Sequence, residues 1–264
     1  MPTPTFKHTD APVVLPSRIG VLGDIHDDLG FLFSAFDWFS KNGVEHIIQL
    51  GDYWAYDGTS RPTKVNRRAA QYGVHLYFID GNHEGYNYLL PEMVHSTAPW
   101  TMGEHVTYLS RGLRGTVGSK SFLAMGGAVS TDKHYRTEGK NWWADETLND
   151  TDVVHGTTGD PVDYFFSHDI ARDCLNAHTV RAVHDAETEA SLHEFRRRMN
   201  EVYRYHSPSM VFHGHYHVHY IETVHPYSAG PTTMVGLADN THRKKDMSGL
   251  IFDADTDTIL DLWL

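Results

Sequence analysis

Eight residues carry chemistry that their neighbours do not: Asp24, His26, Asp52, Asn82, His83, His168, His215 and His217. All offer oxygen or nitrogen donors, and each stands within a few positions of the end of a short apolar run. The set suits divalent cations. Two cations about 3.5–4 Å apart that share one carboxylate would use most of these donors and leave positions open for water, as a two-metal hydrolase requires. Cys174 is the only cysteine, so a structural zinc site built of thiolates is excluded. Imidazole with carboxylate suits manganese, iron, nickel or zinc; manganese is the favoured occupant.

Each piece alone is weak. Gly51-Asp52 and Gly81-Asn82 are ordinary turn formers, and in a chain with 20 histidines His168 alone says almost nothing. Gly214-His215-Tyr216-His217 says more, because alternate residues of an extended segment point the same way and can share a metal pocket. The joint order, each element following an apolar strand, carries the reading.

Those donors need strands to deliver them. Residues 47–50, Ile-Ile-Gln-Leu, read as a buried strand that presents Asp52 at its end, the usual place for chemistry in open α/β sheets. Residues 19–22 do the same for Asp24 and His26, 75–79 for Asn82 and His83, 163–167 for His168, and 210–212 for His215 and His217. Leu29, Leu32, Phe33, Phe36 and Phe39 recur at helical spacing until Asn42-Gly43, and residues 62–72 predict a second helix closed by Gly73. Asp24, Asp52 and Asn82 are thus separated by about one βαβ crossover each, roughly 30 residues. Their strands should be parallel neighbours.

Beyond them, a short helix is predicted over 86–94. Residues 106–109 and 121–125, set among glycines, predict shorter strands of a second sheet. Residues 127–160 read as a long loop with a short helix, one wall of the pocket. Leu192, Phe195, Met199, Val202 and Tyr203 mark an amphipathic helix that stops before Ser207-Pro208. The apolar runs from 218 onward predict antiparallel strands ending the second sheet.

Composition bounds the rest. The chain has 264 residues, 40% of them hydrophobic, which predicts a single domain over 18–264 behind a lead-in over 1–17 with a disordered start. No apolar run approaches the roughly 18 residues of a membrane span. A net charge of −12, with no basic block longer than Arg196-Arg197-Arg198, argues against long nucleic acid and for a small substrate. Bound cations would still make the pocket locally positive for a phosphate. One cysteine and no basic-plus-apolar leader predict a cytoplasmic location.

The full set of motifs resembles the calcineurin-like metallophosphoesterases, whose pattern is Asp-x-His, Gly-Asp, Gly-Asn-His-Asp/Glu, a later His, then Gly-His-x-His. The resemblance runs from Asp24 to His217. It implies a four-layer αββα sandwich with two mixed β-sheets and a dinuclear centre between the strand ends. Asp24, His26 and His217 would bind one metal, Asn82, His168 and His215 the other, and Asp52 would bridge them. A hydroxide held between the metals would attack phosphorus in line with the leaving oxygen, with His83 donating a proton to the leaving group or a hydrogen bond to a phosphoryl oxygen. Gly126-Gly127-Ala128-Val129-Ser130-Thr131-Asp132, followed by Arg136, is similar to a stretch of small bacterial and phage-type phosphoesterases and makes Arg136, with Asn82 and His83, a substrate-binding candidate.

One departure shapes the functional expectation. Protein Ser/Thr phosphatases of this superfamily carry Gly-Asp-x-x-Asp-Arg-Gly, whereas this chain reads Gly51-Asp52-Tyr53-Trp54-Ala55-Tyr56-Asp57. The missing carboxylate would have oriented His83, a role that could pass to Glu84, Asp57 or water. The missing arginine, the acidic surface and the aromatic candidates for base stacking, Tyr53, Trp54, Trp142 and Trp143, favour a phosphodiesterase acting on small nucleotide-like substrates, cyclic ones included. A phosphomonoesterase, including a protein phosphatase, is the alternative. A catalytically silent metal-binding scaffold is disfavoured because every ligand position is intact.

Overall fold

The computed structural model describes residues 6–53, 61–179, 184–226, 230–241 and 247–263. In chain order the strands are β1 (Lys7–His8), β2 (Val13–Leu15), β3 (Arg18–Leu22), β4 (His46–Gln49), β5 (His75–Phe78), β6 (Pro99–Thr101), β7 (Val106–Leu109), β8 (Arg114–Val117), β9 (Lys120–Met125), β10 (Tyr164–Ser167), β11 (Met210–His213), β12 (Tyr220–Val224), β13 (Thr232–Gly236), β14 (Gly249–Asp253) and β15 (Thr258–Trp263). The helices are α1 (Leu29–Lys41), α2 (Arg61–Tyr72), α3 (Pro91–Val94), α4 (Asp150–Gly156) and α5 (Ala186–His206).

The strands form two mixed sheets, ordered β1-β6-β7-β5-β4-β3-β14-β15 and β12-β13-β11-β10-β9-β8-β2. Alternation along each strand assigns side chains to layers. In β4, Ile47 packs with Phe36, Phe39 and Ala69 of α1 and α2, while Ile48 faces Phe122, Phe166 and Phe212 of the other sheet. In β10, Phe166 joins that central layer, and Phe165 turns outward onto Leu192, Phe195 and Met199 of α5. Three apolar cores between four layers make the αββα sandwich.

Local chemistry sets the helix ends. Asp28 accepts the Phe31 amide to start α1, and Asn42 closes it with its side-chain amide on the Trp38 carbonyl. Asp185 caps α5, which ends at Ser207 in the left-handed region just before Pro208. The short helix is confined to Pro91–Val94 rather than starting at Tyr86, because Leu90 precedes a proline and is held extended at φ −65° and ψ 154°.

Three pairings differ from the sequence expectation. Val106–Leu109 belongs to the first sheet, parallel to β5, and β14 and β15 close that same sheet next to β3 instead of ending the second one. Apolar periodicity specifies a strand but not its neighbour. Val13–Leu15, within the expected lead-in, is a strand parallel to β8, and Lys7–His8 pairs with β6. The 127–160 segment holds 3₁₀ turns at Lys133–Tyr135 and Ala144–Glu146 before α4.

Candidate metal centre

The parallel strands β3, β4 and β5 end at one edge of the first sheet, and β10 and β11 end beside them in the second. Backbone contacts lock these ends together. Gln49 donates its amide to the Gly23 carbonyl at 3.1 Å, and the His26 amide donates to the Asp52 carbonyl at 2.9 Å. His26, Asp52, His215 and His217 all have positive φ, 39°, 55°, 65° and 54°. Each such non-glycine residue costs on the order of 1–3 kcal/mol, strain that the surrounding structure must impose. The motif glycines are there for close approach: a Cβ at Gly81 would collide with Asp52 Oδ1, and one at Gly214 would collide with Asp24 Oδ1.

Ligand atoms of Asp24, His26, Asp52 and His217 lie within 4.8 Å of one another. His217 Nε2 is 3.2 Å from Asp24 Oδ2, and His26 Nε2 is 3.3 Å from Asp52 Oδ2. The other oxygen of Asp52 faces the second group. Its Oδ1 is 3.4 Å from His168 Nε2, which is itself 3.3 Å from Asn82 Oδ1, and the His215 ring lies 5.0 Å from that of His168. Seven expected ligands thus converge, with Asp52 between the two subsets. The chemistry and spacing of the Asp24, His26, Asp52 and His217 donors fit a divalent cation.

Electrostatics point the same way. Burial pushes the Asp52 carboxyl up, but the neighbouring His168 and His83 outweigh it and hold the group well below the usual carboxylate range. Burial lowers His26, yet its contact with Asp52 and the charge of Asp24 carry it to about 9. For His215 burial outweighs the nearby Asp169 carboxylate and, with His168, pushes the imidazole down to about 4.

His83 and Arg136 meet at the mouth. The His83 amide donates to Asp52 Oδ1 at 2.7 Å, tying that residue to the metal-facing carboxylate. Arg136 Nη2 lies 2.8 Å from His83 Nε2 and also pairs with Asp132 at 2.8 Å. Burial, with Arg136, keeps the His83 imidazole below its ordinary value despite Asp52. Glu84 is otherwise engaged: its Oε1 accepts the amides of Tyr53 and Gly81 at 2.7 and 3.3 Å, bracing the two loops. Asp57 and Trp54 lie outside the described residues. Tyr53 is buried with its ring 4.4 Å from that of Phe78 and is a core aromatic rather than a base-stacking surface, while Trp143 is half-buried and packs toward Tyr86. Trp142 lies under the Lys133 ammonium.

Sequence reasoning missed several supporting residues. Asn82 donates its amide to Ser130 Oγ at 3.2 Å, which turns Oδ1 toward His168, and the Ser130 amide is in turn held by Glu146 at 3.1 Å. Arg111, fully buried, binds Asp80 at 2.6 Å and Asp152 at 3.3 Å and donates to the Asp145 and Thr147 carbonyls, fastening the 127–160 segment to the turn that carries Asn82. Asp239 and Asn240, after β13, reach His217 and His26. The strand-end rule that found the other donors would have found these last two.

A sequence profile of the calcineurin-like phosphoesterases matches residues 17–219. One solved structure superposes with a TM-score of 0.59 at 10% identity, over 95% of this chain and 100% of its own. TT1561 of Thermus thermophilus gives 0.52 at 11% identity, over 92% and 96%. A protein described as a novel archaeal phosphodiesterase shares 12% identity over 93% and 99%, with a TM-score of 0.44. At such identities the first two likenesses speak for the fold alone. No curated protein matches the sequence. No helix among the described residues is long and apolar enough to cross a membrane. The profile covers every strand-end donor, and the chain belongs to the calcineurin-like phosphoesterases, metal-dependent hydrolases of phosphoesters.

Proposed function

We propose that this chain is a phosphodiesterase for small, nucleotide-like substrates, cyclic nucleotides among them, working with two divalent cations, manganese for preference. The observation that carries this reading is Asp52, whose two oxygens face the His26 group and the His168 group respectively. Asp24, His26, His217 and Asp52 would hold one cation, and Asn82, His168, His215 and Asp52 the other. When bound, such cations act as Lewis acids, lowering the pKa of water and neutralising phosphoryl charge.

The remaining chemistry belongs to the protein. Asn82 and His83 present their side chains to a phosphoryl oxygen, and the Asp52–His83 amide contact fixes that imidazole relative to the metal ligands. His83 is the group placed to hydrogen-bond or protonate the leaving oxygen. Arrival of a phosphoryl anion beside it offsets the Arg136 charge and favours its protonated form. Arg136, already paired with Asp132, offers a partly neutralised guanidinium. That charge balance suits a singly charged diester better than a dianionic monoester.

The phosphomonoesterase alternative draws support from the same residue, since Arg136 brings a guanidinium to 2.8 Å from His83 although the protein-phosphatase motif arginine is missing from this sequence. Turnover of manganese-loaded protein on matched chromogenic monoester and bis-phosphodiester substrates, then on 2′,3′- and 3′,5′-cyclic nucleotides, separates the two. Diester cleavage supports the proposal; monoester cleavage alone overturns it. Two bound metals with no turnover on either would revive a silent scaffold.

A further inference from the structure

We propose that Asp239 is a positioning residue for one of the two metal sites: through His217 it sets the affinity of the Asp24–His26–His217 site and leaves the other site untouched. The inference rests on the reading of those residues as ligands.

His217 is held between two carboxylates. Its Nε2 lies 3.2 Å from Asp24 Oδ2, inside the donor cluster, and its Nδ1 lies 3.2 Å from Asp239 Oδ2. An ionised carboxylate only accepts hydrogen bonds, so once a cation shared with Asp24 takes the Nε2 lone pair, the imidazole proton stands on Nδ1 and Asp239 accepts it. A carboxylate behind a ligating imidazole also raises its basicity and fixes the ring plane.

Asp239 is itself pre-oriented. Its Oδ1 accepts both the Thr241 amide at 3.1 Å and the Thr241 hydroxyl at 2.6 Å, which leaves Oδ2 aimed at His217. The residue is buried, at 5% exposure. The Ser248 hydroxyl donates to its backbone carbonyl at 2.7 Å, and the Ala238 amide binds the Met247 carbonyl, so the turn after β13 is tied to the start of β14. The next residue repeats the device: Asn240 Oδ1 lies 3.3 Å from His26 Nδ1, while His26 Nε2 faces Asp52.

The second site is built differently. His168 Nδ1 lies 2.7 Å from the Leu50 carbonyl, a backbone group of β4's own end, and Asn82 is set by Ser130. A side-chain carboxylate therefore stands behind His217 and a neutral backbone carbonyl behind His168. Substitution at position 239 reaches only the first.

The test is a Mn²⁺ titration of the full chain by calorimetry, with free Mn²⁺ followed by electron paramagnetic resonance. Asp239→Ala should weaken one of two binding steps by roughly 10–100-fold and leave the other in place; Asp239→Asn, which keeps an acceptor without the charge, should weaken the same step less. Thr241→Val, which frees Oδ1, gives a smaller loss at that step and serves if Asp239→Ala does not fold. ¹⁵N resonances of the His217 ring in the protein loaded with diamagnetic Zn²⁺ should show the proton on Nδ1. Unchanged affinities in folded variants, equal loss at both steps, or a proton on Nε2 would each overturn the proposal. Failure of the native chain to bind Mn²⁺ would instead sink the ligand assignment on which it rests.

Discussion

Asp52 and His168 come from strands of different sheets, yet Asp52 Oδ1 lies 3.4 Å from His168 Nε2. With its other oxygen facing His26, the carboxylate serves both halves of the centre. Asp52→Asn should therefore weaken both Mn²⁺ binding steps and reduce turnover by more than the roughly 10–100-fold typical of losing an outer partner. Metal analysis paired with kinetics checks this; loss of one metal only would end the bridging assignment.

His83 is tied to Asp52 through its backbone amide, and its ring lies edge-on to that of His26, 5.5 Å between centroids, without an expected metal-ligand role. His83→Ala should keep both metals and lower kcat by roughly 10²–10⁴. Loss of metal in that variant would make the imidazole a ligand.

Arg136 should behave otherwise. Its guanidinium sits 2.8 Å from His83 and not against a proposed metal ligand's donor atom, so Arg136→Ala should raise KM for phosphoester substrates several-fold with metal content unchanged. A variant with native kinetics would return Arg136 to a structural role with Asp132.

Arg111 ties Asp80 to Asp152 in a fully buried ion network. Removing one partner leaves uncompensated buried charge, and Arg111→Met should cost about 3–5 kcal/mol in urea unfolding. Because Asp80 precedes Gly81-Asn82, surviving protein should also bind the second metal more weakly. A neutral result in both measurements would show the network to be dispensable.

A histidine group at the opposite end of the first sheet predicts acid sensitivity. Burial, aided by His46 and His105, pushes His75 down to about 4 from its ordinary 6.5. The folded state then binds fewer protons than the unfolded chain between those values, so stability is fully present above about pH 6.5 and is lost as pH falls toward 4. The melting temperature should fall across that window, and less steeply in His75→Gln. Parallel curves for the two proteins would remove His75 from the account.

Much of the molecule follows from local sequence. The apolar runs at Ile47-Ile48 and Phe165-Phe166 appear as strands buried on both faces, α1 ends at Asn42, and α5 stops before Pro208. Strand-end placement of Asp24, Asp52, Asn82, His168 and His215 was legible because it needs only an apolar run followed by a turn residue. Their order along the chain was enough to give the family.

Tertiary structure decided everything that depends on which strand lies beside which. Periodicity fixes the faces of a strand, but only burial against a particular neighbour places β7, β14 and β15 in the first sheet. Pairing of β14 with β3 fixes where the turn after β13 runs, and that turn brings Asp239 to His217. Long-range registry likewise turns Tyr53 into core, sets Glu84 to bracing backbone amides, and closes Arg111 between Asp80 and Asp152. The strand-end donors were written in the sequence as residue types after apolar runs; the partners behind them arise from contacts between segments far apart in the chain, which no local pattern encodes.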